Sequence, residues 1–282
     1  MKRLLNKRFL LALGLIILVA FAVYGWSHWI SSTRVAFINY QAIELGQISK
    51  ANDNPSIKVT QVDLEHLDEL KDYDMIMVTA MGLQLDSVQR EQLREASLSV
   101  PTFTRMVTNP ANNINTVDSV DGDFLQQYLE NGSRRNYRSM LNYIRKFIDG
   151  KKFRSVEPDV VEQRPDNMLL HIDPKNPDDD ELGFNTVGEY NAFLRQNGLY
   201  REKAPSIIVT GMMGVASSLV DGFERQGFMV YRVNRLKEFV MAHHIDSVRP
   251  AAVINMAHGR VGDYLVQYLE KANIPMFAPL NA

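Results

Sequence analysis

The sequence predicts an α/β protein with two parallel-sheet units behind an N-terminal transmembrane helix. Three observations predict it: one long apolar run near the start, and two stretches, residues 34–120 and 205–282, in which apolar strand patterns alternate with helical ones. Such alternation is typical of flavodoxin- or Rossmann-like sheets, whose crossover helices bury both faces. Residues 121–204, between the two units, have the pattern of a helical hairpin followed by an irregular linker rich in proline and aspartate.

The composition excludes several classes of site. The chain has 282 residues, 45% of them hydrophobic and 23% charged, which is ordinary for a folded protein with one or two cores. Four of the 31 basic residues lie in the first eight positions, and without them 27 basic residues face 33 acidic ones. No surface for nucleic acid is therefore predicted. The chain has no cysteine, which excludes disulfides, thiolate metal ligands and cysteine nucleophiles.

The apolar run covers residues 9–30, carries no charge, and follows Lys2, Arg3, Lys7 and Arg8. A helix of about 20 apolar residues spans a bilayer, and positive flanks stay in the cytoplasm. We therefore predict that residues 1–33 form a basic cytoplasmic tail and a single-pass anchor in a bacterial inner membrane, with the soluble part in the periplasm. The competing interpretation is a signal peptide cleaved near Ala20-Phe21-Ala22.

The second unit has the clearest pattern, with predicted strands at residues 206–210, 228–233, 251–255 and 276–278. Two of these strands run into loops of small residues. In open parallel sheets ligands bind beyond the carboxyl ends of the strands, where these loops would lie. The predicted ligand contacts are therefore the loop residues Gly211, Met212, Met213, Gly214, His258, Gly259 and Arg260.

The chemistry of the first loop argues against a nucleotide. Gly211 to Gly214 follows a strand and opens a helix, so its backbone amides are suited to binding an anion. Its two methionines are suited to contact with a large flat ligand. It lacks the third glycine of the dinucleotide fingerprint and the Gly-Lys-Ser/Thr of a phosphate loop. The alternative is a tight strand-to-helix turn with methionines packed nearby.

Histidines suggest metal sites at two places. A neutral His258 is able to bind a metal ion, and Arg260 to hold a carboxylate by two hydrogen bonds. The alternative is a loop histidine bonded to backbone and an arginine paired with Asp263. His171 adjoins an acidic segment, but prolines interrupt any regular spacing of cation ligands there, so we interpret that segment as a solvated acidic loop.

Three segments carry a resemblance to a known family: residues 128–136, residues 184–190, and residues 205–280, which end in Ile274-Pro-Met-Phe-Ala-Pro-Leu280. They resemble the N-terminal part of the cobaltochelatase large subunit (CobN) and of the magnesium chelatase H subunit. The expected anchor and the lack of cysteine are similar to the membrane-anchored, haem-uptake-associated HmuS-like branch of that family.

The resemblance implies a tetrapyrrole substrate (haem, porphyrin or corrin), a metal ion whose identity it leaves open, and other chelatase subunits or haem-uptake proteins as partners. Family chains are several times longer, and their metal-inserting residues would follow Ala282. The resemblance therefore implies a truncated N-terminal segment of a chelatase or haem dechelatase and transfers no catalytic residue. The alternative is a membrane-tethered, two-lobed α/β module that binds a small ligand without catalysis.

Overall fold

The computed structural model describes residues 2–163, 166–175, 181–211, 217–243, 245–257 and 262–278. The chain forms two compact units, Met1–Glu162 and Gln163–Ala282. The segment predicted to connect two α/β units, residues 121–204, contributes two helices to the first unit and two strands and a helix to the second.

The N-terminal helix, α1, spans Lys2–Gly25 and leads into a π-helical turn over Trp26–Ile30. Across the described residues, no helix combines the length and the apolarity that crossing a bilayer requires. The predicted transmembrane helix is therefore wrong. The basic residues fall within the bounds of α1, so its uncharged part is residues 9–25. At about 1.5 Å per residue this part is roughly 25 Å long, against roughly 30 Å for the bilayer core. The inner-membrane location and the cleaved signal peptide stay predictions.

The sheet of the first unit has four parallel strands in the order β2-β1-β3-β4. They are β1 (Thr33–Ile38), β2 (Ile57–Gln61), β3 (Met75–Thr79) and β4 (Thr102–Arg105). Every residue of β3 is buried, whereas β2 is partly exposed. A central strand is apolar throughout and a half-exposed strand alternates, and residues 74–79 and 57–62 show these two patterns.

The helices of the first unit are α2 (Ala42–Ala51), α3 (Ser87–Ser97), α4 (Ser119–Glu130) and α5 (Arg134–Tyr143). Successive strand residues point to opposite faces of the sheet, and each face has its own core. Phe37 and Met77 belong to the core that includes residues of α2, α4 and α5. Ile38 and Ile76 belong to the core that includes Leu93 of α3.

A buried arginine anchors the end of the helix pair α4 and α5. Arg145 lies in the π-helical turn after α5 and has no exposed surface. Its guanidinium donates hydrogen bonds to the carbonyl oxygens of Ser31, Ser56 and Phe153. Burial lowers the pKa of Arg145. The helix pair is thereby tied to the backbone just before β1 and just before β2.

The sheet of the second unit has six strands in the order β10-β9-β7-β8-β5-β6. They are β5 (Leu169–Ile172), β6 (Glu181–Phe184), β7 (Ser206–Thr210), β8 (Met229–Val233), β9 (Pro250–Asn255) and β10 (Met276–Phe277). The last four are parallel and closely match the predicted strands. β5 lies within the linker predicted to be irregular and pairs antiparallel with both β6 and β8. All four residues of β5 are buried. The strand was not predicted, because four residues between prolines are too few to show a strand pattern.

The helices of the second unit are α6 (Val187–Gln196), α7 (Ser217–Arg225), α8 (Leu236–His243) and α9 (Asp263–Lys271). They cover opposite faces of the sheet. Ile207 and Val209 of β7 pack with Val220 of α7, whereas Ile208 packs in a cluster that includes residues of α6, α8 and α9, such as Leu269. Among the described helices of this unit, α7 thus covers one face and the other three cover the opposite face.

Candidate functional site

The strand order of the second unit defines a switch point between β7 and β9. From β7 the chain crosses to β8 on one side, and it then returns past β7 to β9 and β10 on the other side. β7 is followed by α7 on one face, and β9 by α9 on the opposite face. The helices after these two strands therefore lie on opposite faces of the sheet, and the switch point, outside which open parallel sheets form their crevice, falls at the carboxyl edge between β7 and β9. Open parallel sheets bind ligands in such crevices.

The first residue of the crevice is Gly211, which directly follows β7 and has a φ of +69°. A Cβ atom at this position would lie 2.5 Å from the backbone nitrogen of Ala257 and 2.5 Å from Oδ1 of Asn255. An L-residue at this position would therefore be strained by the conformation and would clash with these atoms. The ends of β7 and β9 touch here because glycine has no side chain.

Two hydrogen bonds fix the start of the second loop, one to β7 and one to the end of β9. The amide of Met256 donates to the carbonyl oxygen of Thr210 at 2.8 Å. The amide of Ala257 donates to Oδ1 of Asn255 at 3.1 Å. Asn255 is the last residue of β9 and is almost fully buried. The loops after β7 and β9 thus start from one fixed point at the carboxyl edge.

The structure brings the starts of the two predicted loops together. Gly211 lies at this contact, whereas Met212, Met213, Gly214, His258, Gly259 and Arg260 lie outside the described residues. Their predicted roles in ligand contact, and the metal-binding role of His258, stay predictions. In the part of the chain that the structure describes, no group of three or more histidine, aspartate or glutamate residues is placed to hold a metal ion.

Sequence reasoning missed Asn255 as the residue that organises this edge. It named the strand that ends there but gave the asparagine no role. The available signal was a polar amide at the end of an otherwise apolar strand, just before a loop of small residues. Asparagine side chains often bond to backbone amides two residues further along the chain, which is the bond that Asn255 makes to Ala257.

The first unit has a switch point of the same kind, between β1 and β3, that sequence reasoning also missed. Its carboxyl edge is occupied by side chains of the unit itself. Nδ2 of Asn39 donates to the carbonyl oxygens of Thr79 and Met81 at 2.7 and 3.1 Å. Nη2 of Arg105 lies 2.5 Å from Oε2 of Glu44, and its Nε donates to Oγ1 of Thr79 at 3.1 Å.

Tyr40 completes this cluster. The Arg105 guanidinium lies 4.7 Å from the centre of the Tyr40 ring, in the range of a cation–π contact. The Tyr40 hydroxyl is buried near the Thr79 side chain and makes no hydrogen bond of normal geometry with the described residues. Burial raises its pKa, so the hydroxyl stays protonated at neutral pH. The carboxyl edge of the first unit is therefore filled largely by its own polar groups.

Comparison with known proteins identifies the family. The model of the CobN/Magnesium Chelatase family matches residues 126–282, which is more than half of the chain. None of the curated proteins matches the chain.

Three solved structures show some similarity. One is the catalytic subunit of cobaltochelatase from Mycobacterium tuberculosis, at 12% identity and a TM-score of 0.47, with 87% of this chain and 21% of that chain covered. Another is a D-isomer specific 2-hydroxyacid dehydrogenase from Lactobacillus delbrueckii ssp. bulgaricus. It has 13% identity and a TM-score of 0.27, and the match covers 82% of this chain and 64% of that chain. The third is a putative sugar binding protein from Salmonella typhimurium LT2. It has 13% identity and a TM-score of 0.29, and the match covers 92% of this chain and 80% of that chain.

These structural similarities carry no argument about substrate or mechanism, because all three TM-scores are below 0.5. The chain spans about a fifth of the length of the cobaltochelatase structure. The match to the family model covers the whole second unit, Gln163–Ala282, and begins within α4 of the first unit. The chain belongs to the CobN/magnesium chelatase family.

Proposed function

We propose that the chain supplies a tetrapyrrole-binding segment of a metal chelatase or dechelatase, and that the ring binds at the crevice between β7 and β9. The observation that carries the proposal is the contact of Gly211 with Asn255 and Ala257. It fixes the starts of two loops at one switch point within the region matched to the family. Haem, a metal-free porphyrin and a corrin are the candidate rings, and the metal ion is substrate.

The composition of the two loops is suited to a large flat ligand. Methionine is apolar, flexible and polarisable, so Met212 and Met213 are able to adapt to the face of a ring. A neutral imidazole at His258 would offer an axial ligand to a metal held in the ring. Arg260 would form charge-assisted hydrogen bonds with a carboxylate on the ring's edge. The switch point brings the starts of both loops together, which is what simultaneous contact with one ring requires.

The expected partners follow from the same proposal. A segment that holds the ring needs a further part, in the same or another polypeptide, to transfer the metal. We expect that part to be another chelatase subunit or a protein of haem uptake. Whether the metal is inserted or removed depends on that part.

The test is a titration of the protein with haemin and with metal-free protoporphyrin, followed by visible absorbance. We expect both rings to bind and the double variant Met212→Ser with Met213→Ser to weaken binding of both. Met241→Ser is the matched control, because Met241 is exposed on α8, which the proposed site does not include. Unchanged spectra with both rings would contradict the proposal, as would equal effects of the loop and control variants.

The role of His258 is tested separately. His258→Ala should shift the Soret band of the haemin complex and leave the complex with metal-free protoporphyrin unchanged. His66→Ala is the control, because His66 is an exposed histidine of the first unit. An identical haemin spectrum in the His258→Ala protein removes this residue as an axial ligand and leaves the ring site itself intact.

A further inference from the structure

The second unit has a cavity of about 370 Å³ at the amino-terminal edge of its parallel strands, opposite the switch point. β5 runs antiparallel to β8, with Leu169 beside Val233, so its last residues lie by the start of β8. The backbone amide of Arg201 lies 3.1 Å from the sulfur of Met229, the first residue of β8. A cavity of this volume falls within the range of small-molecule sites.

His171 lines the cavity and is buried, with 4% of its surface exposed. The interpretation of its segment as a solvated acidic loop is wrong at this residue, because it lies on β5. Its Nδ1 is 2.6 Å from the carbonyl oxygen of Ile172, and its Nε2 is 2.9 Å from Oε1 of Glu224. A carbonyl oxygen only accepts, so Nδ1 carries a proton. A second proton lies between Nε2 and the Glu224 carboxyl group.

The pair of His171 and Glu224 is therefore neutral as a whole, whichever of the two holds the second proton. It joins the end of α7 to β5, because Glu224 is near the end of that helix. This contact holds Asp221 and Arg225, which lie on the same helix, at the wall of the cavity. Both nitrogens of His171 are occupied by these contacts, so its role is to position α7.

The remaining charges of the cavity favour an anion. Arg201 and Arg225 line it and are exposed, and neither guanidinium forms an ion pair within the described residues. Asp221 is the one further acid of the described lining beside Glu224. Two positive charges therefore face one negative charge around the neutral pair. Guanidinium groups bind carboxylates and phosphates through paired, charge-assisted hydrogen bonds.

We propose that this cavity is a second ligand site, which binds a small molecule bearing a carboxylate or phosphate group through Arg201 and Arg225. Asp221 would accept a hydrogen bond from a hydroxyl or ammonium group of the same molecule. The site lies at the opposite edge of the sheet from the crevice between β7 and β9. It is independent of the proposed binding of a tetrapyrrole, and either proposal is able to fail alone.

The experiment is a titration of the full chain with inorganic phosphate and, separately, with succinate at constant ionic strength. Binding is followed by calorimetry and by the NMR resonances of the His171 ring. We expect at least one of the two anions to bind and to shift these resonances. Arg201→Gln and Arg225→Gln should each weaken binding by roughly tenfold or more, because each removes charge-assisted hydrogen bonds. The anion that binds identifies the ligand as a phosphate or a carboxylate compound.

Lys237→Gln is the control, because it removes one positive charge from an exposed position on α8. It should leave anion affinity within about twofold of the original, since exposed charges beyond the Debye length of roughly 8 to 10 Å contribute little. The proposal is overturned if neither anion binds. It is also overturned if the arginine variants bind as tightly as the Lys237→Gln protein. The altered arginines are exposed, so their circular dichroism should match that of the unaltered chain.

Discussion

The two α/β sheets place the same topological feature in different chemical surroundings. In each, the strand order reverses next to the first strand of the parallel unit, between β1 and β3 or between β7 and β9. The first unit fills the carboxyl edge of its switch point with Asn39, Arg105 and Glu44, which bond to its own backbone and side chains. In the second unit, Gly211 brings the ends of β7 and β9 into contact, and two loops start from there.

The difference shows that strand order alone does not make a binding site. At the first switch point the polar groups of the edge largely satisfy one another, so a ligand would have to break existing contacts. At the second, the described contacts fix the starts of the two loops. The following predictions compare the two edges, from the largest expected effect to the smallest.

The first prediction concerns Gly211→Ala. The added Cβ would meet backbone of the second loop at 2.5 Å and would hold an L-residue at a φ of +69°. We expect a loss of about 2–4 kcal/mol in the stability of the second unit, from overpacking and left-handed strain together. Hydrogen exchange of the β7 and β9 amides measures this loss.

Gly198→Ala is its control. Gly198 has a φ of +71° but nothing within 4 Å of the added atom, so this variant carries only the conformational strain. It should cost about 1–2 kcal/mol. Equal losses in the two variants would contradict the inferred contact between the strand ends.

The second prediction concerns Arg105→Leu. The Arg105 side chain is 9% exposed and pairs with Glu44, which is 22% exposed. Removing the guanidinium leaves a partly buried carboxylate without its partner, so we expect a loss of about 2–3 kcal/mol in the stability of the first unit. Urea unfolding measures it. Adding Glu44→Leu should recover most of the loss, and no recovery would show that the ion pair is not its cause.

The Arg105→Leu protein also sharpens the comparison of the two edges. It should bind haemin and protoporphyrin as the unaltered chain does, because the proposed ring site lies in the second unit. A large loss of ring binding in this variant would place the ring at the first switch point instead.

The third and smallest prediction concerns Tyr40→Phe. The Tyr40 hydroxyl makes no hydrogen bond of normal geometry in the described part of the chain, so its removal should leave stability unchanged or raise it by up to about 1 kcal/mol. Tyr190→Phe is the control, because the Tyr190 hydroxyl donates to the carbonyl oxygen of Val230 at 3.0 Å. That variant should lose about 1 kcal/mol in urea unfolding. Similar losses in both variants would mean that the Tyr40 hydroxyl is bonded.

The sequence predicted those parts of the fold that depend on local pattern. The strands β7, β8 and β9 were predicted to within a residue at either end, because they are mostly apolar and small or turn-forming residues bound them. β5 was missed because four residues among prolines carry too little pattern. The prediction of a transmembrane helix was wrong because a search for apolar runs does not take into account where the α-helix begins and ends.

The sequence by itself determined the alternation of strands and helices, and with it the two parallel sheets and the loops at their carboxyl edges. Only the tertiary structure decided which side chains meet. Arg105 pairs with Glu44 across 61 positions of sequence, and His171 with Glu224 across 53. The physical reason is that periodicity reports which face of an element is buried, whereas hydrogen bonds between distant residues depend on how the strands are ordered in the sheet. Gly211 illustrates both parts, since its position after a strand was predictable and its contact with Asn255 was not.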